Sequence, residues 1–311
     1  MELFELQTSE TTDSKIHLIM TPWELTTSYG QGTANGPKAI QQASSQLDFF
    51  DIDFGDCRSA GMSASTTPES IISSQLKLSK NDVAGVNTAS SNLNEWVYSE
   101  SKKQIAAGKI PGLVGGDHSC PYGLIKAISE KYGDFGILHI DAHADLRVAY
   151  QGFEHSHASI MYNVVNLKNR PQKLVQVGIR DFCKEEYDII ENTPSIKTFF
   201  DRHIFEEKSN GVSWSQIAKN IINELPENVY ISFDIDGLSP EFCAHTGTPV
   251  PGGLSFNEAL HLIKQTGLNK KIIGFDLVEV APGKDSELDA NIGARLLYQL
   301  CGWSLKSQSL I

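Results

Sequence analysis

The sequence is poor in basic charge, in paired cysteines and in long apolar runs. Lys and Arg number 26 against 38 Asp and Glu, and the formal net charge of −12 argues against binding to nucleic acid phosphates. The five cysteines are odd in number and include no CxxC pair, which predicts reduced thiols instead of a disulfide framework. No apolar stretch approaches the roughly 20 residues that span a bilayer, so no membrane partner is expected.

The polar segment Met1–Lys15 has neither the basic start nor the apolar run of a signal peptide. Together with the reduced cysteines, this segment predicts a cytoplasmic protein. A chain of 311 residues can bury a substantial core without disulfides or a structural metal. We therefore expect any metal ion that it binds to serve chemistry.

Short apolar segments alternate with helical patterns along the chain. They are rich in Ile, Val, Leu and Phe, as is typical of strands that are covered on both faces. The alternation predicts an α/β fold with three layers, α/β/α, around a mostly parallel central sheet. The predicted strands are Ile16–Met20, Ile110–Val114, Phe135–Ile140, Leu174–Val177, Ile196–Phe199, Val229–Phe233 and Ile272–Leu277.

Several predicted helices carry start signals. Pro37 suits a first helical position, where its missing N–H costs nothing. Ser213 with Gln216, and Ser255 with Glu258, fit the capping box, in which two side chains pair with backbone N–H groups at the helix end.

The longest helical pattern runs from about Asp82 to Ala107 and ends at Gly108. The serines and threonines from Ser59 to Ser74 are interpreted as a surface loop. Because no internal repeat and no linker rich in Pro, Gly or Ser divides the chain, we expect one domain over residues 1–311.

Three polar segments each follow a predicted strand. Ligands of open α/β sheets gather outside the carboxyl ends of the strands, so we expect these segments to converge there. They would bring four carboxylates and two imidazoles to one place. The segments are Gly115-Gly116-Asp117-His118-Ser119, His139-Ile140-Asp141-Ala142-His143-Ala144-Asp145 and Ser232-Phe233-Asp234-Ile235-Asp236-Gly237.

The types of these side chains predict a pair of metal ions. Oxygen and nitrogen donors without thiolate suit Mn²⁺ and similar ions. Six candidate ligands exceed the three or four protein ligands of one catalytic ion, whereas two ions that share carboxylates would use all six. Two ions about 3.5–4 Å apart can lower the pKa of one bridging water, which then serves as the nucleophile. The candidate ligands are His118, Asp141, His143, Asp145, Asp234 and Asp236.

Other acidic residues and histidines are explained without a ligand role. Asp51 and Asp53 form a pair that no His accompanies, which is typical of a turn. His139 lies inside a predicted strand and is interpreted as packed. Packed or solvated positions are also assigned to His17, His203 and His261.

At this point the motifs resemble those of the ureohydrolases, the family of arginase, agmatinase and formimidoylglutamase, and agmatinase most. The resemblance covers nearly the whole chain, and the order of its metal motifs is highly specific. Beyond the three metal segments, it includes Thr26-Thr27-Ser28-Tyr29-Gly30, Gly36-Pro37-Lys38-Ala39-Ile40, Thr246-Gly247-Thr248-Pro249, Gly252-Gly253 and Asp276-Leu277-Val278-Glu279-Val280.

The resemblance implies two Mn²⁺ per subunit and a homo-oligomer, either a trimer or a hexamer. Asp141 and Asp234 would bridge the two ions. The first ion would be held by His118, Asp141, Asp145 and Asp234, and the second by Asp141, His143, Asp234 and Asp236.

The resemblance also implies a mechanism. Glu279 matches the carboxylate that binds the substrate guanidinium, and a metal-bridging hydroxide attacks the central carbon. The nucleophile donates a hydrogen bond to Asp145. His157 matches the histidine that protonates the leaving amine, and His155 is a possible substitute or a wall residue.

Two positions depart from the family pattern. Ser239 stands where Asp is usual, and because it lies outside the ligand set we expect an adjusted loop and no loss of metal. His245 stands where Gly or Ala is common, and it is interpreted as an exposed loop residue in preference to a residue at the mouth of the site.

The substrate depends on the segment from Leu146 to His155, which is expected to form the pocket wall. It lacks the small polar residues of arginases, and Tyr150, Phe153 and Glu154 would suit a decarboxylated cation such as agmatine. Arg147 would either pair with an internal carboxylate or bind a substrate carboxylate, as in formimidoylglutamase or a guanidino-acid hydrolase.

The sequence thus predicts hydrolysis of agmatine to putrescine and urea. Alternatives within the family are formimidoylglutamase and hydrolases of guanidino acids or arginine. From other classes, a metal-binding family member without turnover is disfavoured by the complete ligand set. A phosphoesterase is disfavoured because no glycine-rich phosphate loop is present and the acidic chain repels anions.

Overall fold

The computed structural model describes residues 2–8 and 13–311. Residues 1 and 9–12, which belong to the polar segment Met1–Lys15, lie outside the described residues. We number the strands and helices in chain order. The strands are β1 Glu2–Leu3, β2 Leu6–Gln7, β3 Ile16–Thr21, β4 Met62–Thr66, β5 Ile110–Gly115, β6 Gly136–Ile140, β7 Lys173–Ile179, β8 Ile196–Phe200, β9 Asn228–Asp234 and β10 Lys271–Val278. The α-helices are α1 Gly36–Ala43, α2 Glu69–Gln75, α3 Val83–Ala106, α4 Tyr122–Lys131, α5 Ile160–Val165, α6 Lys184–Asn192, α7 Asp201–Ser209, α8 Trp214–Asn223, α9 Phe256–Asn269 and α10 Leu288–Ser307.

Eight strands form one sheet in the order β4-β3-β5-β10-β9-β6-β7-β8. Every neighbouring pair in it is parallel. The remaining two strands, β1 and β2, form a small antiparallel pair. The prediction of a mostly parallel central sheet is confirmed.

Successive residues of a central strand face opposite sides of the sheet. Ile231 and Phe233 of β9 pack into one buried cluster together with residues of α8, α9 and α10. Tyr230 of the same strand packs into a second buried cluster with residues of α3, α4 and α5. Because strand side chains alternate between faces, the two clusters lie on opposite sides of the sheet and produce the three predicted layers.

All seven predicted strands are present, with ends that differ by one or two residues. The interpretation of Ser59 to Ser74 as a loop is wrong, since β4 and most of α2 lie there. Most residues of β4 are Ser or Thr instead of large apolar residues, so no strand is predicted there. It is an edge strand of the sheet, and its Ser63 hydroxyl lies 2.9 Å from Nδ1 of the buried His17 on β3.

Helix starts follow the sequence signals closely. Helix α3 begins directly after Asp82, whose side chain accepts a hydrogen bond from the Gly85 N–H. Ser255 and Glu258 form the predicted capping box at α9. Ser213 caps α8, but this is only half of a box because the Gln216 side chain bonds elsewhere. Pro37 is the second helical residue instead of the first.

The strand order places the functional segments side by side. Strands β5, β10, β9 and β6 are consecutive in the sheet. Since they are parallel, the residues that follow each strand lie at the same end of the sheet. Gly116, directly after β5, lets its backbone pass close to that of Trp23, because a Cβ atom at this position would lie 1.7 Å from the Trp23 carbonyl oxygen.

Among the residues that the structure describes, we find no helix that is both long enough and apolar enough to cross a membrane.

Replacing Ile231 by Ala should destabilise the fold by about 2–5 kcal/mol, because it removes a fully buried side chain from the central strand and leaves a cavity. The matched control is Ile52→Ala, since Ile52 is 92% exposed and its loss should change the free energy of unfolding by less than about 0.5 kcal/mol. Urea unfolding monitored by circular dichroism measures both. Equal unfolding midpoints for the two variants would contradict the proposed central position of β9.

Candidate active site

Six predicted ligand side chains meet at the carboxyl ends of β5, β6 and β9. Five of them are buried, and the sixth, His143, has a side chain that is 22% exposed. The structure therefore brings together three segments that are spread over residues 118 to 236 of the sequence.

Asp141 lies between the two histidines. Its Oδ2 atom is 3.0 Å from Nδ1 of His118, and its Oδ1 atom is 3.4 Å from Nδ1 of His143. Two groups of candidate ligand atoms share this aspartate, and the atoms within each group lie within 4.8 Å of one another. Each oxygen of Asp141 thus faces a different group, as a carboxylate that bridges two ions would.

Of the remaining three aspartates, two lie near His118 and one lies near His143. Asp145 Oδ2 is 3.0 Å and Asp234 Oδ2 is 3.4 Å from Nδ1 of His118. Asp236 Oδ2 is 3.2 Å from Nδ1 of His143. Asp145 reaches the group because its backbone turns into the left-handed region, with φ of 54°. Each imidazole therefore faces at least two carboxylates.

A buried hydrogen-bond chain orients the ring of His118. The Ser232 hydroxyl donates its single proton to Asp276, at 2.9 Å. The same hydroxyl lies 3.0 Å from Nε2 of His118, so it accepts the Nε2–H. Nδ1 is then the ring nitrogen that faces the carboxylates, and its lone pair would hold a metal ion bound there. Such outer partners fix the tautomer of metal-binding histidines.

A second chain ends on Asp141. Gln176 donates to the Ala144 carbonyl oxygen and to Nδ1 of His139, at 2.8 and 3.1 Å. Thr198 donates to the amide oxygen of Gln176, which fixes the orientation of that amide. Nε2 of His139 is therefore the protonated nitrogen and donates to Asp141 Oδ2 at 2.8 Å. His139 thus supports a ligand and has no free lone pair for an ion.

The carboxylates strongly affect one another's ionisation. Burial opposes ionisation of Asp141, yet the rings of His139 and His118 hold the pKa of this carboxyl well below its usual range. Burial and the field of Asp236 instead raise the pKa of Asp234 well above its usual range. So many buried carboxylates cannot all ionise without additional positive charge.

The site fits a pair of divalent ions. Within the described residues, Nδ1 of His118 and Oδ2 of Asp236 are buried and make no hydrogen bond. Buried polar atoms are nearly always paired, so such atoms require an explanation. Oxygen and imidazole donors suit Mn²⁺ and related ions, and bound cations would supply the missing charge.

Glu279 follows β10 and points into the same region. Its backbone N–H donates to the Gly116 carbonyl oxygen, and its φ of 60° turns the side chain inward. Oε1 accepts from the His118 backbone N–H at 3.0 Å, whereas Oε2 is buried without a hydrogen bond. Burial raises the pKa of this carboxyl. Oε2 is therefore available to a cationic ligand.

His157 lies beside Glu279, with Nδ1 at 3.6 Å from Oε1. Its Nε2 atom is buried without a hydrogen bond. Burial opposes the charged ring, but the neighbouring Glu279 outweighs it and raises the pKa of His157. His155 lies apart from these groups, packs against the ring of Tyr122, and has a pKa that burial lowers. Of the two histidines, only His157 faces Glu279.

A cavity of about 130 Å³ opens beside the ligands. It includes Arg147 and Tyr150, as the sequence predicts. Glu154 is exposed outside it, and Phe153 packs in the core, so the structure does not bring these two residues to the cavity. The lining residues are Ser28, His143, Asp145, Arg147, Tyr150, His157, Ala158, Asp181, Glu186 and Thr248.

Arg147 pairs with an internal carboxylate and also faces the cavity. Its Nε atom lies 3.5 Å from Oε2 of the buried Glu186, and its guanidinium lies 4.7 Å from the centre of the Tyr150 ring. The side chain is 37% exposed. The two alternatives considered from sequence are therefore compatible, since the pairing holds Arg147 at the cavity wall.

Sequence reasoning missed Asp181 and Glu186, two acidic residues of the cavity. Asp181 follows β7, so its position at a strand end was a usable signal. Glu186 lies in the first turn of α6, where its Oε2 accepts from the Cys183 N–H and its Oε1 accepts from the Leu146 N–H. Nothing local distinguishes it from an ordinary helix cap.

His245 has a structural partner. Its Nδ1 atom lies 2.9 Å from Asp289 Oδ2, which attaches the loop before Thr246 to the start of α10. The side chain is 45% exposed. Ser239, the other departure, donates its backbone N–H to the Leu254 carbonyl oxygen, and the candidate ligands Asp234 and Asp236 before it lie beside His118 and His143.

Comparisons with known proteins agree with this geometry. The family model described as "Arginase family" matches residues 14–302. An N(1)-aminopropylagmatine ureohydrolase of Synechocystis is 30% identical over 95% of this chain and 91% of its own length. Its counterpart in Thermus thermophilus is 31% identical over 93% and 90%.

Solved structures agree as well. The agmatine ureohydrolase of Thermoplasma volcanium superposes with a TM-score of 0.77 at 26% identity, covering 96% of this chain and 92% of that one. A hypothetical agmatinase from Burkholderia thailandensis superposes with a TM-score of 0.79 at 25% identity, covering 100% and 92%. With a family model spanning most of the chain, a matching fold and a matching ligand constellation, this protein belongs to the arginase family and is a ureohydrolase, a hydrolase of guanidino C–N bonds.

Proposed function

We propose that this protein is a dinuclear manganese hydrolase that converts agmatine to putrescine and urea. The observation that carries the proposal is the arrangement of Asp141 between two histidine and carboxylate groups, beside a buried Glu279 oxygen that makes no hydrogen bond. The first feature supports two ions, and the second supports a guanidinium ligand. A trimer or hexamer stays a prediction of the family resemblance, and the cytoplasmic location stays a prediction from the cysteines and the polar first residues.

The ligand sets proposed from the resemblance suit the positions of the side chains. One ion would be held by His118 and Asp145, the other by His143 and Asp236, and Asp141 would be shared. Asp234 would be the second shared ligand. When bound, such a pair supplies a water of lowered pKa as nucleophile.

Glu279 would bind and orient the substrate guanidinium. A charge-assisted hydrogen bond from a guanidinium to Oε2 would satisfy the Glu279 oxygen that makes no hydrogen bond. Oε1 is already held by the His118 N–H, so the carboxylate cannot rotate freely. Holding the guanidinium carbon of the substrate in a fixed position beside the metal site would contribute much of the rate enhancement.

His157 would deliver a proton to the leaving amine. Its Nδ1 faces Glu279, so Nε2 is the atom free to donate toward the substrate. The neighbouring Glu279 raises the pKa of His157, which favours the protonated ring that a general acid needs. Asp145 would accept a hydrogen bond from the nucleophile and direct it at the guanidinium carbon.

The charges of the cavity support a cationic substrate tail. Asp181 and Glu186 contribute two carboxylates, and Arg147 contributes one cation. An ammonium group would balance the remaining negative charge. The relatives agree with an amine tail, since they include enzymes named for N(1)-aminopropylagmatine and an agmatinase of Pyrococcus horikoshii at 26% identity.

A second candidate substrate is a guanidino acid. Arg147 borders the cavity and is partly exposed, so a substrate carboxylate could contact its guanidinium. One relative, 29% identical, is the proclavaminate amidinohydrolase of Streptomyces clavuligerus. We place this candidate second because the paired Glu186 already neutralises Arg147.

Manganese-loaded protein should release urea from agmatine with a higher kcat/KM than from arginine, guanidinobutyrate or guanidine, and should not release glutamate from formiminoglutamate at a comparable rate. The physical reason is the excess of carboxylates at the tail of the cavity. A colorimetric urea assay of the four guanidino compounds, beside a glutamate assay for formiminoglutamate, tests this. A preference for guanidinobutyrate would favour the second candidate, and no product from any compound would indicate a metal-binding protein without turnover.

Replacing Asp234 by Ala should lower the metal content from two ions per subunit to below one, because this residue is proposed to bridge both ions. Activity should fall by more than about 100-fold, since even outer partners of a metal site cost 10–100-fold. Elemental analysis after dialysis measures the first effect. Asp51→Ala is the control, because Asp51 lies in a turn and its side chain accepts hydrogen bonds from Asp53 and Gln299, far from the candidate ligands in the fold. Two ions retained in the Asp234 variant would contradict the assignment.

Replacing Arg147 by Gln should shift the substrate preference toward a tail with two positive charges. The change leaves Asp181 and Glu186 without a balancing cation, so the ratio of kcat/KM for N(1)-aminopropylagmatine over agmatine should rise about tenfold. Arg202→Gln is the control, because the Arg202 side chain is 87% exposed on α7. An unchanged ratio would show that Arg147 has no part in recognising the tail.

A further inference from the structure

Thr26 lies in the loop after β3 and is buried, with 1% of its surface exposed. Its hydroxyl group lies 3.0 Å from Oδ2 of Asp117 and 3.0 Å from the backbone nitrogen of His157. It therefore connects three segments that are far apart in sequence: its own loop, the loop after β5, and the loop that precedes α5.

Asp117 belongs to the first metal segment but is not a predicted ligand. It is fully buried, and it accepts hydrogen bonds from the Thr26 N–H at 3.1 Å and from the Ser119 N–H at 3.1 Å. The Ser119 hydroxyl also donates to it. These partners hold the carboxylate in one orientation, so Oδ2 stays in place to accept a hydrogen bond from the Thr26 hydroxyl.

The two contacts of the Thr26 hydroxyl have a definite direction. A hydroxyl has one proton, and the carboxylate of Asp117 can only accept, so that proton goes to Asp117. The lone pairs of the oxygen then accept the His157 N–H. The chain of bonds runs from the His157 backbone through Thr26 to Asp117, and a charged end strengthens such a chain.

The backbone position of His157 decides where its ring lies. The residue begins a short 3-10 helix, His157–Ser159, so its N–H is not used within a longer helix. The ring approaches Glu279 at 3.6 Å, which is a loose contact, and Nε2 makes no hydrogen bond. The bond to Thr26 is therefore a firmer anchor for this residue than any contact of its ring.

We propose that Thr26, held by Asp117, is a positioning residue that sets the place of the His157 ring relative to Glu279 and the substrate. Thr26 has no role in holding metal and is absent from the cavity lining. The proposal rests on the proposed function, because His157 is the proton donor only in that reaction. It adds a residue that acts on catalysis through the backbone of another residue.

The principal variant is Thr26→Val, which keeps the shape of the side chain and removes the hydroxyl group. In the manganese-loaded enzyme with agmatine, kcat should fall about tenfold, because a small displacement of a proton donor slows the step that it serves. KM and metal content should stay within about twofold of the wild-type values, and Thr26→Ser should restore kcat. If Thr26→Val does not fold by circular dichroism, Thr26→Ala takes its place.

The matched control is Thr27→Val. Thr27 is the neighbouring buried threonine, and its hydroxyl donates to the Glu24 carbonyl oxygen at 3.4 Å. The change removes the same group from the same loop without touching Asp117 or His157, so kcat should stay within about twofold. An equal loss of kcat in both valine variants would overturn the proposal, since it would indicate a general effect on the loop.

A double-mutant cycle separates positioning of His157 from a general structural effect. In a His157→Ala background, Thr26→Val should cause no further loss of kcat, because the group that Thr26 positions is gone. A further tenfold loss would overturn the proposal. Should the wild-type enzyme release no product from any guanidino compound, the proposed function fails. The crystal structure of Thr26→Val then decides the positioning alone, and an unmoved His157 ring overturns it.

Discussion

The structure depends above all on the convergence of buried carboxylates at one edge of a parallel sheet. Asp141, Asp145, Asp234 and Asp236 lie together with Glu279, and burial makes their mutual repulsion strong. Two histidines offset only part of it. A fold can tolerate this arrangement when cations bind there. The repulsion lowers the stability of the metal-free protein, and its relief on binding adds to the affinity for the cations. The same constraint explains why all the ligands come from the ends of rigid strands.

Around that charged centre, each important side chain is held by a partner of its own. Ser232 and Asp276 orient His118, and Gln176 with His139 orients Asp141. These partners lie on neighbouring strands, so the sheet itself carries the alignment. His157 is different, because it lies in a loop, and its anchor comes from Thr26 in another loop. A loop residue whose side chain must keep one position needs such a hydrogen bond, since no strand holds its backbone in place.

In the proposed function, the residues that select the substrate differ from those that carry out the reaction. The cavity beside the candidate metal ligands carries Arg147 paired with Glu186, and Asp181 follows β7. These side chains would contact the part of a substrate that does not react. A family can therefore keep one reaction while the tail of the substrate changes, because the two groups of residues come from different elements.

The sequence by itself determined seven strands of the central sheet, the three layers and the candidate metal segments, because apolar periodicity and the residues after a strand are local signals. The tertiary structure alone decided which side chains share a space. Strand β4 was missed because its Ser and Thr residues lack an apolar pattern, and Glu186 was missed because it resembles any helix cap. Glu154 was expected to be part of the pocket wall, yet its side chain is exposed to solvent. Such contacts depend on how loops from distant parts of the chain pack together, and no local pattern records that.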